Sequence, residues 1–140
     1  MKKRVCVIDG QGGGIGSAII KALKEAMGET IEIVALGTNA IATAQMLKAK
    51  ANRGASGENA IVYTVKTADV IAGPLAIVLA NAMMGEVTAR IAAAVAESPA
   101  PKLLLPLTQE NVIVVGASDD PLPHLVDQLV QVHLKNMIDS

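Results

Sequence analysis

The sequence predicts an α/β protein, a three-layer sandwich of helices around a mainly parallel sheet. Short β-branched runs alternate with segments of helical periodicity along most of its length. The first run, RVCVI at residues 4–8, is apolar on both faces, as in a central strand covered on each side. The segments between the runs are also long enough for the crossovers that parallel neighbours need. With 140 residues, 51% of them hydrophobic, the chain is expected to form a single domain over 1–140.

After RVCVI, the residues Ala18, Ile19, Ala22, Leu23, Ala26 and Met27 recur at helical spacing, with Lys21, Lys24 and Glu25 opposite and Gly28 placed as a C-cap. IEIVALG at 31–37 is the second strand. Asn39 is the natural N-cap of a second helix, with Ala40, Ala44, Leu47 and Ala51 as its inward stripe. A short third strand is expected near 51–55.

SGENAIVYTVKT favours a strand by propensity, but topology selects a helix. If DVIA at 69–72 is a parallel strand, the few residues before it cannot make a crossover. The predicted helix runs from about 57 to 67, with Ser56 as cap and Ile61, Val65 and Ala68 inward. Gly73 and Pro74 then end the strand and start an apolar helix over 75–84, buried in the core or against another subunit. Gly85 breaks or kinks it, and EVTARIAAAVAES follows as a helix in which Glu86 and Arg90 pair one turn apart. KLLLPL and VIVVG are two further strands, joined by TQEN as a candidate antiparallel edge hairpin. Asp119 or Asp120 caps a last helix from Pro121, with Leu125, Leu129, Val132 and Met137 inward. The sum is Rossmann-like.

Composition excludes several function classes. A formal net charge of -1 gives no global field for nucleic acid or an anionic membrane, and a single tyrosine leaves no stacking platform for single strands. No apolar stretch approaches the roughly 20 residues of a membrane helix, and the apolar run after MKKR is too short for a signal-peptide core. Cys6, alone in an apolar run, suits core packing in a reducing compartment. A cytoplasmic protein is expected. His124 and His133 have no metal-ligand spacing around them, and no metal is expected.

The chemistry concentrates in DGQGGGIGS. Asp9, Gly10, Gln11, Gly12 and Gly13 lead from the first strand into Gly14, Ile15, Gly16 and Ser17 at the start of the first helix. Five glycines in seven positions allow positive φ or the close approach of another group. A helix N-terminus carries unsatisfied N–H groups and partial positive charge, and so attracts phosphate or carboxylate. G-x-G-x-x-G fails because position 15 is isoleucine, and a P-loop fails because Ser17 stands where lysine is needed. Asp9 has two readings of equal weight, a metal or ribose contact or a cap on its own loop amides.

Gly10, Gly14, Ile15 and Gly16 do fit G-x-x-x-G-I-G. Over residues 4 to 23 the loop resembles that of the short-chain dehydrogenases and reductases, with Asp9 where that pattern has threonine; the resemblance implies a nicotinamide cofactor, NAD(P), at the turn. The Tyr-x-x-x-Lys pair of that family is missing, because the lysine after Tyr63 is Lys66. A second resemblance spans nearly the whole chain. IDGQGGGIG, ALGTNAIAT, SGENAIV, DVIAGPLAIVLA and GEVT occur in order, similar to a family of small bacterial proteins of unknown function. It implies one cytoplasmic domain and no particular reaction.

In this topology the loops after the first four strands share the carboxyl edge of the sheet, where open α/β folds bind ligands. They carry the glycine loop, then Thr38 and Asn39, then Ser56, Glu58 and Asn59, and finally Gly73. Thr38 and Asn39 stand where a ribose-binding carboxylate would be, and can instead be simple caps. The leading expectation is binding of a nucleotide or another phosphorylated small molecule, as a sensor or carrier. Two alternatives stay open: a small NAD(P)-dependent oxidoreductase or transferase completed by a homo-oligomer, and a structural protein without ligand. No catalytic residue is nominated.

Overall fold

The computed structural model describes residues 1–107 and 110–139. Five strands form one all-parallel sheet in the order β3-β2-β1-β4-β5. They are β1 Lys3–Asp9, β2 Ile31–Gly37, β3 Arg53–Ser56, β4 Val70–Pro74 and β5 Lys102–Leu105. Helices α1 Gly14–Met27 and α2 Ala40–Lys48 join the first three strands, and α3 Glu58–Thr64 returns the chain across β1 to β4. Helix α4 Ala89–Glu97 precedes β5. The chain then runs through α5 Leu122–Gln128, a π-helical turn over Leu129–Leu134 and α6 Lys135–Asp139.

Period-2 alternation in β1 feeds two cores. Val5 and Val7 pack with Ile19, Ile20 and Leu23 of α1, Met46 of α2 and Leu125 of α5 on one face. Cys6 and Ile8 pack with Ile61 of α3 and Ile91 and Val95 of α4 on the other. Each fully buried Ile or Leu contributes about 1.5–3 kcal/mol relative to exposure. Burial pushes the Cys6 thiol up to about 12, Arg4 opposing, so it is a core side chain with no thiolate at neutral pH.

The strand-or-helix conflict at 57–67 resolves as topology requires, with α3 extended by a 3₁₀ turn over Val65–Thr67. Ser56 does not cap it. That residue ends β3, and Gly57 occupies the cap position at φ 98°. Asn39 caps α2 as expected, accepting from the Ala42 amide at 2.8 Å. The inward stripe of α2 is Ala42, Thr43 and Met46, whereas Ala40, Ala44 and Leu47 are exposed and Ala51 is only partly buried. Alanines on every face left the rotation undetermined by composition. The cap sets it, and Thr43 is buried because its hydroxyl donates to the Asn39 carbonyl and accepts from Ser56 Oγ at 2.7 Å.

The largest departure is at 73–88. Gly73 and Pro74 belong to β4, and no helix spans 75–84. A 3₁₀ turn covers Leu75–Val78, followed by turns in which Asn81, Met83, Met84 and Gly85 all have positive φ. The stretch is apolar all round, so it had no periodicity to reveal this path. It buries Ala76, Ile77, Ala82, Met83 and Val87 in its own core, which leaves no apolar helix for another subunit. Glu86 does not pair with Arg90. Arg90 lies 3.6 Å from Glu58 instead.

The C-terminal third differs as well. VIVVG forms no strand, and Ile113 and Val115 are 88% and 94% exposed, so the edge hairpin is absent among the described residues. Of its TQEN turn, Thr108 and Gln109 lie outside them. The last helix starts without a side-chain cap. Asp120 instead pairs with His124 at 3.0 Å, and Asp119 does not cap it. The π turn inserts an extra residue, so the buried set becomes Leu125, Val126, Leu129, Val130 and Leu134. Val132 is turned out, and Met137 is half-buried. No helix among the described residues is long and apolar enough to cross a membrane.

Candidate functional site

The loop between β1 and α1 lies at the carboxyl edge, beside the switch point between β1 and β4 where the strand order reverses. Asp9, 3% exposed, is its organiser. Its Oδ1 accepts from the Gly10 amide at 2.8 Å and its Oδ2 from the Gly16 amide at 2.7 Å. The carboxylate thus caps the third residue of α1 from the end of the strand, a task no side chain at the cap position Gly13 performs. Burial pushes the Asp9 carboxyl above its ordinary value, and the Gly16 and Gly10 amides hold it back.

Three of the five loop glycines have reasons inside the fold. Gly13 sits at φ 74°, and a Cβ there would lie 2.8 Å from the Ala42 carbonyl at the start of α2. A Cβ on Gly16 would lie 2.6 Å from the Met46 sulfur and 3.0 Å from Asp9 Cβ. At Gly10 it would lie 2.6 Å from the Met83 sulfur and 3.0 Å from Glu86 Oε1. Gly12 and Gly14 are different. Neither has a positive φ, and a Cβ at either would meet nothing within 4 Å.

The amides divide the same way. Gly10 and Gly16 bond Asp9, Gln11 bonds Glu86, and Gly13 bonds the Gly10 carbonyl at 2.9 Å. Ser17 N–H donates to the Gly13 carbonyl, but its buried hydroxyl has no partner among the described residues. Gly12 and Gly14, both exposed, have amides with no acceptor among the described residues. The bared stretch expected along the whole loop narrows to these two positions.

Glu86 was not anticipated. The turns after β4 bring its Oε1 to the Gln11 amide at 2.8 Å, Thr38 Oγ1 at 2.6 Å and Asn39 Nδ2 at 2.9 Å. Asn39 Nδ2 also donates to the Gln11 carbonyl at 3.0 Å. Desolvation pushes the Glu86 carboxyl up, but the bonds from Thr38, Gln11 and Asn39 outweigh it and hold it below the usual range. A carboxylate does stand beside the end of β2, supplied by a distant segment. The only sequence signal was Gly85 next to an acidic residue, which helical spacing assigned to Arg90.

The remaining expected residues divide. Thr38 and Asn39 join the glycine loop through Glu86. Ser56 binds Thr43, tying β3 to α2, and Glu58 accepts from Thr88 Oγ1 at 2.6 Å and faces α4. Asn59 is exposed in the first turn of α3. Gly73 lies against β1, where a Cβ would collide with the Ile8 carbonyl, so its smallness serves strand packing.

Between the ends of β1 and β4 a crevice of about 310 Å³ adjoins the loop. Ile15, Pro74, Ala76, Met83 and Leu107 supply its apolar wall, and Gln11 and Glu110 its polar rim. The site therefore offers two open amides beside an apolar recess, with a satisfied carboxylate on the β2 side. A family model described as "Domain of unknown function (DUF3842)" matches residues 4–138. No curated protein matches the chain.

Proposed function

The chain belongs to the DUF3842 family, whose description assigns no activity, and from the geometry of the loop we propose that it binds a phosphorylated small molecule at Gly12 and Gly14. The observation that carries this reading is the division of the glycines. Gly10, Gly13 and Gly16 are crowded by neighbouring atoms, whereas Gly12 and Gly14 face open space with uncommitted amides. Glycine costs backbone entropy, so two that the fold does not need call for something outside it.

Several features support a phosphate. Gly14 is the first residue of α1, where the helix dipole favours an anion. The unpartnered Ser17 hydroxyl lies one turn further along. The apolar crevice beside Ile15 suits the non-phosphate part of a nucleotide or similar ester. A ligand-free structural role accounts for the bonds to Asp9, but it gives Gly12 and Gly14 no reason to be glycine.

The test is a thermal-shift panel of NAD(H), NADP(H), ADP and sugar phosphates on the purified chain and on Gly14→Asp. Stabilisation of the parent by a phosphate-bearing compound, lost in the folded variant, supports the site. Equal shifts in both proteins place binding elsewhere, and no shift in either removes the proposal.

A further inference from the structure

We infer that the Gln11 amide, Thr38 Oγ1 and Asn39 Nδ2 form a second oxyanion subsite, which Glu86 fills from within the chain until a diphosphate-type ligand displaces it. The inference rests on the phosphate reading of the adjoining loop. Three donors from two separate segments converge on one oxygen, at 2.8, 2.6 and 2.9 Å. Such a cradle fits any oxyanion, because what it recognises is a negatively charged oxygen. In this structure the oxygen is Glu86 Oε1.

Two relationships make Glu86 a displaceable occupant. Its segment is anchored by other residues: Ala82, Met83 and Val87 are buried, and the Asn81 amide bonds the Val87 carbonyl at 2.6 Å. The side chain can therefore swing out while the backbone stays. The subsite also begins at the Gln11 amide, one residue from the open Gly12 amide, so a ligand with two linked phosphates can hold both. A guest anion cannot share the cradle with an ionised Glu86, since like charges a few ångströms apart repel. A monophosphate takes only the Gly12 and Gly14 amides. A diphosphate ester gains by expelling the carboxylate.

Calorimetric titration of the full chain with inorganic phosphate and inorganic pyrophosphate, on the parent, Glu86→Gln and Glu86→Ala, tests this. Removing the competing charge is expected to tighten pyrophosphate binding by about tenfold in Glu86→Ala. Glu86→Gln should show an intermediate gain, and phosphate affinity should change little. Glutamine preserves the shape of the brace and guards against loss of fold in the alanine variant. If the parent binds phosphate but neither variant binds pyrophosphate more tightly, Glu86 is a permanent brace and the inference fails while the loop proposal stands. If no protein binds either anion, both fail.

Discussion

The Asp9 carboxylate reaches the amide of Gly16, seven residues on, at 2.7 Å and so ties the end of β1 to the first turn of α1. Asparagine there keeps one acceptor and turns an NH₂ toward an amide N–H. Asp9→Asn should lose about 1–3 kcal/mol, the cost of an unsatisfied buried group. Urea unfolding monitored by far-UV circular dichroism checks this; an unchanged midpoint would show that the two bonds contribute nothing net.

The loop glycines should separate fold from ligand. Gly16→Ala forces a methyl to within 2.6 Å of the Met46 sulfur and should cost about 1–3 kcal/mol by overpacking. Gly12→Ala meets no atom within 4 Å and should leave stability unchanged or raise it by about 0.4–1 kcal/mol. Denaturant midpoints of the two variants decide the matter; similar losses in both would mean that Gly12 is also required by the fold.

Glu86 sets a pH dependence of known sign. Its folded-state carboxyl is held below the ordinary 4.5, so its contribution is complete above that value and disappears as pH falls through the lower folded value. Glu86→Gln removes this link, together with the minor repulsion by which the Glu86 charge pushes the Asp9 carboxyl up. The stability advantage of the parent over the variant should therefore shrink below about pH 4.5. Parallel unfolding curves at pH 7 and pH 3.5 measure it, and a constant difference would contradict the assignment.

Cys6, fully buried with its thiol pushed up to about 12, should not react with a thiol-specific disulfide reagent in the native protein. Reaction is expected only at the rate of unfolding, and should become immediate in denaturant. Rapid labelling of the folded chain would show that the β1 core opens.

The strands and the glycine turn were legible because their signals are local: β-branched runs covered on both faces, a glycine cluster between strand and helix, and Asn39 as a cap. The helix at 57–67 was legible through connectivity, since a strand there could not have reached β4. Residues 75–88 were not, because an all-apolar stretch fits a helix and a buried series of turns equally well. That one segment also hid Glu86, so the site was read without the carboxylate that meets Thr38 and Asn39. The cap that Asp9 places on its own loop is visible only in three dimensions, where its carboxylate meets the Gly10 and Gly16 amides. VIVVG has strand propensity but no pairing partner among the described residues, and propensity alone does not make a sheet.

The most direct test of the central claim is an amide-resolved nuclear magnetic resonance titration of the ¹⁵N-labelled chain with inorganic phosphate. The largest saturable shifts are predicted at the Gly12 and Gly14 amides, with Gly10 and Gly16 moving far less because Asp9 already holds them. Shifts confined to other surfaces, or none at Gly12 and Gly14 at saturating anion, would contradict it.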